Sequence, residues 1–327
     1  MDGLNDTQRY FVEEHIEDFR DGLIGRRELI RRVAIVVGSA AAATTLLAAC
    51  DLSPRSTATT SPTSPAATAS ATQGLVAQPF ATPPPAATTD GVTVKENDPR
   101  ITVSKPEIKG TDGASLMAYA AMPNVSGRVP GVMVIHENRG QSEHIRDVVR
   151  RAATAGFVAV NIDLTARQGG GEKLGDAVTG AIGNLAVAQK LADHTAALTY
   201  LKANTSGAIG AVGFCFGGGE VWNLLAAGAD LKAAVPYYGP QPSNYQDIGT
   251  KAKGATLAVY AEQDTRITST SPQMEEQLKK AGVPVEIRVF TGVNHAFHND
   301  TGGTRYAPDA AQKAWVATIE WFRKYLA

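Results

Sequence analysis

From Gly91 onward, short apolar runs alternate with stretches of helical period. "SLMAYAAM" (115–122) alternates apolar and polar positions as a half-buried strand does. "PGVMVIHE" (130–137), "GFVAVNID" (156–163), "GAIGAVGFC" (207–215), "AAVPYYG" (233–239), "ATLAVYAEQD" (255–264) and "VEIRVF" (285–290) are short apolar runs ending in polar or glycine residues. Strands covered on both faces of a parallel sheet need such runs. Helix-like stretches lie between them: Glu143 to Ala155, Ala181 to Lys202, Gly218 to Ala227, Pro272 to Ala281 and Pro308 to Tyr325. The last sets Trp315, Ile319 and Phe322 on one face. The alternation predicts one α/β domain over 91–327, a mostly parallel, doubly wound sheet flanked by helices.

The first ninety residues break this pattern. "GRRELIRR" (25–32) precedes an apolar run from Val33 to Ala49, and small residues lead into Cys50 in "LLAAC". Paired arginines, a moderately apolar stretch and small residues before a cleavage point describe an export signal. "RRELI" resembles a twin-arginine signal and "LAAC" the lipobox of a bacterial lipoprotein. That resemblance implies cleavage before Cys50, lipidation of Cys50, and anchoring at the outer face of the bacterial cytoplasmic membrane. The alternative is an uncleaved amino-terminal anchor, whose apolar stretch is usually nearer about 20 residues. Residues 1–50 are thus expected to be a leader rather than folded-domain sequence. Residues 51–90 are Ser, Thr, Ala and Pro with hardly a charge, as in "SPRSTATTSPTSPAATASAT". Such a segment buries too little apolar area to offset its ordering entropy, which predicts a disordered tether.

Among the 327 residues, 43% are hydrophobic and 19% charged, and the net charge is −1. An even balance gives no electrostatic footprint for nucleic acid. Cys50 and Cys215 are the two cysteines, so the chain is not a disulfide scaffold. His136, His144, His194 and His298 lack ligand-like i, i+4 pairing and carboxylate or cysteine company, so metal binding is unsupported. "ARQGGGEK" lacks the phosphate-loop spacing, and no cofactor is implied.

Open α/β sheets carry function at the carboxyl ends of their strands. The polar residues there are His136, Glu137, Asp163, Cys215, Asp264 and, after the last strand, His295. "GFCFG" (213–217) has the G-x-S-x-G form of a nucleophile elbow with cysteine for serine. Alone, it leaves an inert buried thiol and a nucleophile equally open. A strand before it, a helix after it, and Asp264 and His295 following in α/β-hydrolase order favour the nucleophile. In that triad His295 takes the Cys215 proton and later activates water, and Asp264 holds the imidazole tautomer. The N–H of Phe216 forms half of an oxyanion hole.

"VIHENRG", "NIDLTARQGG", "GFCFGGG", "VYAEQD" and "GVNHAFHND", in this order, resemble the dienelactone hydrolases (carboxymethylenebutenolidases) over roughly 101–327. The resemblance implies an α/β-hydrolase fold and a carboxylic ester hydrolase with a small ester or lactone substrate. It also implies that Glu137 lies beside the resting thiol and helps take its proton, and that the Asn138 N–H completes the oxyanion hole. Arg167 would bind the substrate carboxylate, as a forked guanidinium suits two oxygens. The chain departs from the pattern at Asn299, where the family carries a second carboxylate-binding arginine; Arg305 is the nearby candidate to replace it.

The main expectation is therefore an exported, lipid-anchored hydrolase working through a Cys215 thioester. One rival is a broad carboxylesterase or thioesterase with the same triad. Another is a solute-binding lipoprotein on a hydrolase fold, although a binder has no need of a nucleophile, base and acid in register. The natural substrate and the oligomeric state are left open.

Overall fold

The computed structural model of the chain describes residues 1, 3–50, 52–53 and 92–327. Apart from Leu52 and Ser53, the expected tether lies outside the described residues. The domain is built on nine strands: β1 Ile101–Ser104, β2 Glu107–Lys109, β3 Ser115–Pro123, β4 Gly131–Ile135, β5 Val158–Ile162, β6 Ile209–Phe214, β7 Ala233–Tyr237, β8 Ala255–Ala261 and β9 Val285–Phe290. Their order is β1-β3-β5-β4-β6-β7-β8-β9, with β2 also paired to β3. Pairing is antiparallel from β1 to β5 and parallel from β5 across to β9. Every residue of β4 to β8 is buried, which is why those segments read as apolar runs. β9, at the sheet edge, is only half-buried.

The chain leaves β4 towards β5 on one side and resumes with β6 on the other. The carboxyl ends of β4 and β6 therefore flank the point where strand order reverses, the place where an open α/β sheet forms a crevice. Glu137 follows β4 and Cys215 follows β6, so topology alone brings these two residues together.

The predicted strands and helices recur with small shifts. The expected helix 181–202 is two, Val178–Gly183 and Val187–Asn204. The expected helix 218–227 begins earlier, at Phe216, directly after the nucleophile candidate. β1 and β2 were not anticipated, since four- and three-residue strands leave little periodicity to read.

The leader differs more. Asp6–Arg20 (α1), Arg26–Val37 (α2) and Ala40–Ala48 (α3) are helices, and α1 opens with a capping box between Asn5 and Gln8. They do not stand apart from the domain as expected. Tyr10, Phe11, Val12 and Ile16 of α1, and Leu29, Val33 and Val36 of α2, join one core with the domain. Asn5 Nδ2 donates to Gly183 O at 2.9 Å, and Gln8 Nε2 to Asn184 Oδ1 at 2.9 Å. The physical reason is the amphipathic period of 6–20, whose apolar stripe finds a partner in helix 178–183. Among the described residues no single helix is long and apolar enough to cross a membrane; α2 and α3 pass together by length and composition, bent by 114°.

The helix after β6 sits so close to β7 that a Cβ on Gly218 would lie 2.4 Å from Tyr237 O and 2.9 Å from Gly239 Cα. Both neighbours are backbone and cannot rotate away. Gly218→Ala is therefore expected to lower stability by about 1–3 kcal/mol. Gly25→Ala, where a Cβ meets nothing within 4 Å, should stay within about 0.5 kcal/mol. Urea midpoints of the two variants check the contrast.

Candidate active site

Cys215 stands between β6 and the helix Phe216–Ala226 with φ 57° and ψ −122°. A non-glycine residue in that region is strained, and the strain persists only where the surroundings over-determine it. Here they do, because the glycines after Cys215 lock the helix against the ends of β4 and β7. The turn projects the thiol at the sheet edge, as a nucleophile elbow does.

Asp264 follows β8 and His295 follows β9. His295 Nδ1 donates to Asp264 Oδ2 at 2.6 Å, which leaves Nε2 facing the thiol. That nitrogen lies within 4.8 Å of Cys215 Sγ. Asp264 is fixed from its other oxygen, which accepts from Ile267 N at 3.4 Å. The loop carrying His295 is itself tied down: His144 Nδ1 of the helix Glu143–Thr154 (α4) donates to Asp300 Oδ1 at 2.7 Å. Arg151 of α4 pairs with Asp300 as well. The "HND" triplet, 298–300, thus works as an anchor for the catalytic loop. The other histidines also have structural settings. His136 Nδ1 donates to Glu137 O at 2.7 Å, His194 sits 3.4 Å from Glu220, and His298 stacks on Phe214.

Glu137 is buried beside this centre. Asn299 Nδ2 donates to its Oε2 at 2.5 Å, and its Oε1 has no hydrogen-bond partner among the described residues. Phe216 begins a helix, where a backbone N–H has no intrahelical acceptor. Asn138 follows Glu137 and lines, with Cys215 and His295, a cavity of about 650 Å³. Five expected site residues, Cys215, Asp264, His295, Glu137 and Asn138, are therefore brought together, with Phe216 next in chain.

Arg167 is not brought in. Its guanidinium is held by Asp193 at 2.5 Å and by Asp112 at 2.9 Å, and it does not line the cavity. Cys50 ends α3 half-buried, its thiol donating to Leu46 O at 3.4 Å.

Two residues at the centre were missed from sequence, and both come from α1. Tyr10 Oη lies 3.1 Å from Cys215 Sγ and 3.4 Å from His295 Nε2. Glu14 Oε2 lies 3.2 Å from the same nitrogen. Their i, i+4 spacing in "YFVEE" puts them on one helix face, the one available signal. Arg266 supports them, packed over the Tyr10 ring and paired with Glu14. Glu14, Cys215 and His295 offer donor atoms of the kinds zinc takes, but ion pairing and hydrogen bonding account for each contact.

The charges follow from this packing. Burial opposes protonation of His295, yet Glu14 and Asp264 outweigh it and hold the imidazole well above its usual range. Burial pushes the Cys215 thiol up; His295 counters it, while Glu14 and Glu137 add to the rise. Burial would raise Asp264, but His295 overrides it and keeps the carboxyl below its ordinary value. Burial raises the Glu14 carboxyl as well, with His295 and Arg266 countering it.

The sequence profile of the Dienelactone hydrolase family matches residues 116–326. A Salmonella typhi protein named "Putative carboxymethylenebutenolidase" is 33% identical over 230 residues, covering 66% of this chain and 85% of its own. One of that name from Methylorubrum extorquens is 33% identical over 223 residues, covering 64% and 76%. The crystal structure of a "Putative Dienelactone Hydrolase" from Klebsiella pneumoniae superposes with a TM-score of 0.62 at 30% identity, covering 69% of this chain and 99% of that one. A dienelactone hydrolase-like promiscuous phosphotriesterase from metagenomic libraries superposes with a TM-score of 0.59 at 25% identity, covering 70% and 100%.

Facing His295 are Glu14 and Tyr10 from α1, Asp264 after β8, Cys215 after β6, and the Tyr238 ring after β7. Glu14→Gln removes a carboxylate that favours the imidazolium, so His295 should lose its proton at lower pH than in the unaltered chain. An NMR titration of the His295 ring protons reads the shift; no movement, or an upward one, contradicts the assignment.

Proposed function

Because the chain belongs to the dienelactone hydrolase family, we propose that it cleaves a small ester or lactone through a thioester on Cys215. The observation that carries this reading is the strained elbow of Cys215 with His295 beside it and Asp264 2.6 Å behind. His295 Nε2 takes the thiol proton, and the thiolate adds to the carbonyl carbon. The oxyanion rests on the N–H groups of Phe216 and Asn138, a single such donor being worth about 3 kcal/mol of barrier. Collapse breaks the acyl C–O bond, and the leaving alkoxide receives the proton from His295. In a lactone that alkoxide stays attached to the acyl group. Water, deprotonated by His295, then attacks the thioester and frees Cys215. Asp264 keeps Nδ1–H in place and stabilises the imidazolium in both halves. The unpartnered Glu137 oxygen supports a role for that residue as an auxiliary proton acceptor.

A second reading, a broad carboxylesterase or thioesterase on the same triad, is favoured by a specific feature. Arg167 is occupied by Asp112 and Asp193, and Asn299 holds Glu137 where the family pattern has an arginine. No arginine at either family position is thereby available to a substrate carboxylate. The promiscuity named for the phosphotriesterase relative is in keeping with such a site.

We further propose that the protein is exported and lipid-anchored through Cys50, on the strength of Arg26–Arg27 and the "LAAC" ending of the leader.

Cys215→Ala should lower hydrolysis of p-nitrophenyl acetate and of a dienelactone by about 10³-fold or more, and Asp264→Asn by up to about 10⁴-fold. Unchanged turnover in Cys215→Ala sinks the thioester mechanism. The ratio of the two substrates in the unaltered chain separates the lactone reading from the broad one. In a bacterial host, Cys50→Ala should move the protein out of the membrane fraction and abolish labelling by a fatty-acid probe; retention of both overturns the anchor.

A further inference from the structure

Nothing in an esterase mechanism calls for a tyrosine and a glutamate from an export leader at the nucleophile. Yet Tyr10 Oη and Glu14 Oε2 take up the hydrogen-bonding atoms through which Cys215 and His295 would act on a substrate. Cys215 is 5% exposed and His295 3% exposed with α1 in place. The cavity that reaches Cys215 and His295 is itself lined by Glu14, so the helix and a substrate compete for the same two reactive atoms. We propose that α1 is an inhibitor in cis: the mouth of the active site is a docking surface, and its occupant is the chain's own acidic, tyrosine-bearing leader helix.

Three independent features of the docking support this. The first is shape, since Phe11 lies edge-on to Phe216, the residue after the nucleophile, with ring centroids 5.5 Å apart, and Ile16 is buried one helical turn beyond Val12. The second is charge. Glu13, Glu14 and Glu17 gather on Arg266, while Asp18 and Asp21 take Arg305 at 2.8 and 3.3 Å. Five carboxylates of one segment thus lie against two arginines of the domain, and buried charged groups are tolerated only when paired. The third is a set of polar clamps outside the catalytic centre. Lys190 Nζ donates to Thr7 Oγ1 at 2.8 Å and to Glu220 Oε1 at 2.7 Å, and Asn294 Nδ2 donates to Asp21 at 3.1 Å. A helix packed merely to cover an apolar patch would present apolar groups to the thiol and the imidazole. This one presents polar atoms aimed at both.

The upward shift of His295 fits the same arrangement, since Glu14 is among the groups that favour its imidazolium. Release requires only that α1 separate from the domain. If the leader is removed ahead of Cys50, a step that rests on the export reading, the enzyme has only residual activity until it has been processed. The inhibition itself rests on neither export nor cleavage.

The test uses the full chain carrying Phe11→Asp and Ile16→Asp, two buried positions that do not touch the triad. Iodoacetamide labelling of the Cys215 peptide is followed by mass spectrometry, which separates it from Cys50, alongside hydrolysis of p-nitrophenyl acetate. A plug seated 90% of the time leaves about a tenth of the molecules reactive, so displacement should raise both rates at least about tenfold. A synthetic peptide of residues 5–24 should restore inhibition in trans, and a scrambled one should not. If labelling accelerates while hydrolysis stays absent, the plug stands and the hydrolase reading fails. Should the double variant precipitate, a full chain with a protease site placed between 54 and 90 is cut after folding and separated from its leader. Labelling of Cys215 no faster in the displaced or cut protein than in the intact chain overturns the proposal.

Discussion

The backbone at Cys215 is the constraint on which the site depends. A residue with a side chain is held at φ 57°, a conformation that costs on the order of 1–3 kcal/mol and would relax if anything around it could give. Nothing can, because the following helix is clamped by main-chain contacts to the ends of β4 and β7. Glycines at 217 and 218 permit that approach, and the approach in turn holds the turn. The thiol therefore projects from the sheet edge at a place set by the sheet itself, with the first N–H of a helix beside it.

The other candidate site residues hang from strand ends around that point. β4 contributes Glu137 and Asn138, β8 contributes Asp264 and β9 contributes His295, each within a few residues of its strand. Secondary contacts keep them there: the Asp300 anchor on α4 holds the histidine loop, and Asn299 holds Glu137. Asn299 thus replaces an arginine in the family pattern with a group that orients a carboxylate of the protein rather than one of a ligand. The chemistry class tolerates that exchange, since the triad does not depend on it.

Electrostatics ties the leader to the same centre. A buried thiol, imidazole and pair of carboxylates stabilise whatever proton arrangement their neighbours favour, because burial weakens solvent screening. Glu14 and Asp264 raise the His295 imidazole, and burial raises both the Cys215 thiol and the Glu14 carboxyl. The helix that supplies Glu14 also sets Tyr10 against the thiol, so one element contacts both Cys215 and His295.

Much of this was legible from the residues alone. Short apolar runs located six strands of the parallel sheet to within a few positions, since burial on both faces leaves a strand no polar alternative. Glycine spacing and chain order picked out Cys215, Asp264 and His295, because the elbow and its partners are local turns at strand ends. Resemblance to a family added Glu137 and Asn138, and also suggested Arg167, whose side chain is engaged by Asp112 and Asp193. Only the tertiary structure decided what lies against the nucleophile. Tyr10 and Glu14 are 205 and 281 residues from the groups they touch, and no local rule relates such positions. Local sequence determines the conformation of a segment and which of its faces is apolar. The surface that face settles on depends on shape and charge assembled from distant parts of the chain, which exist only once the sheet has formed.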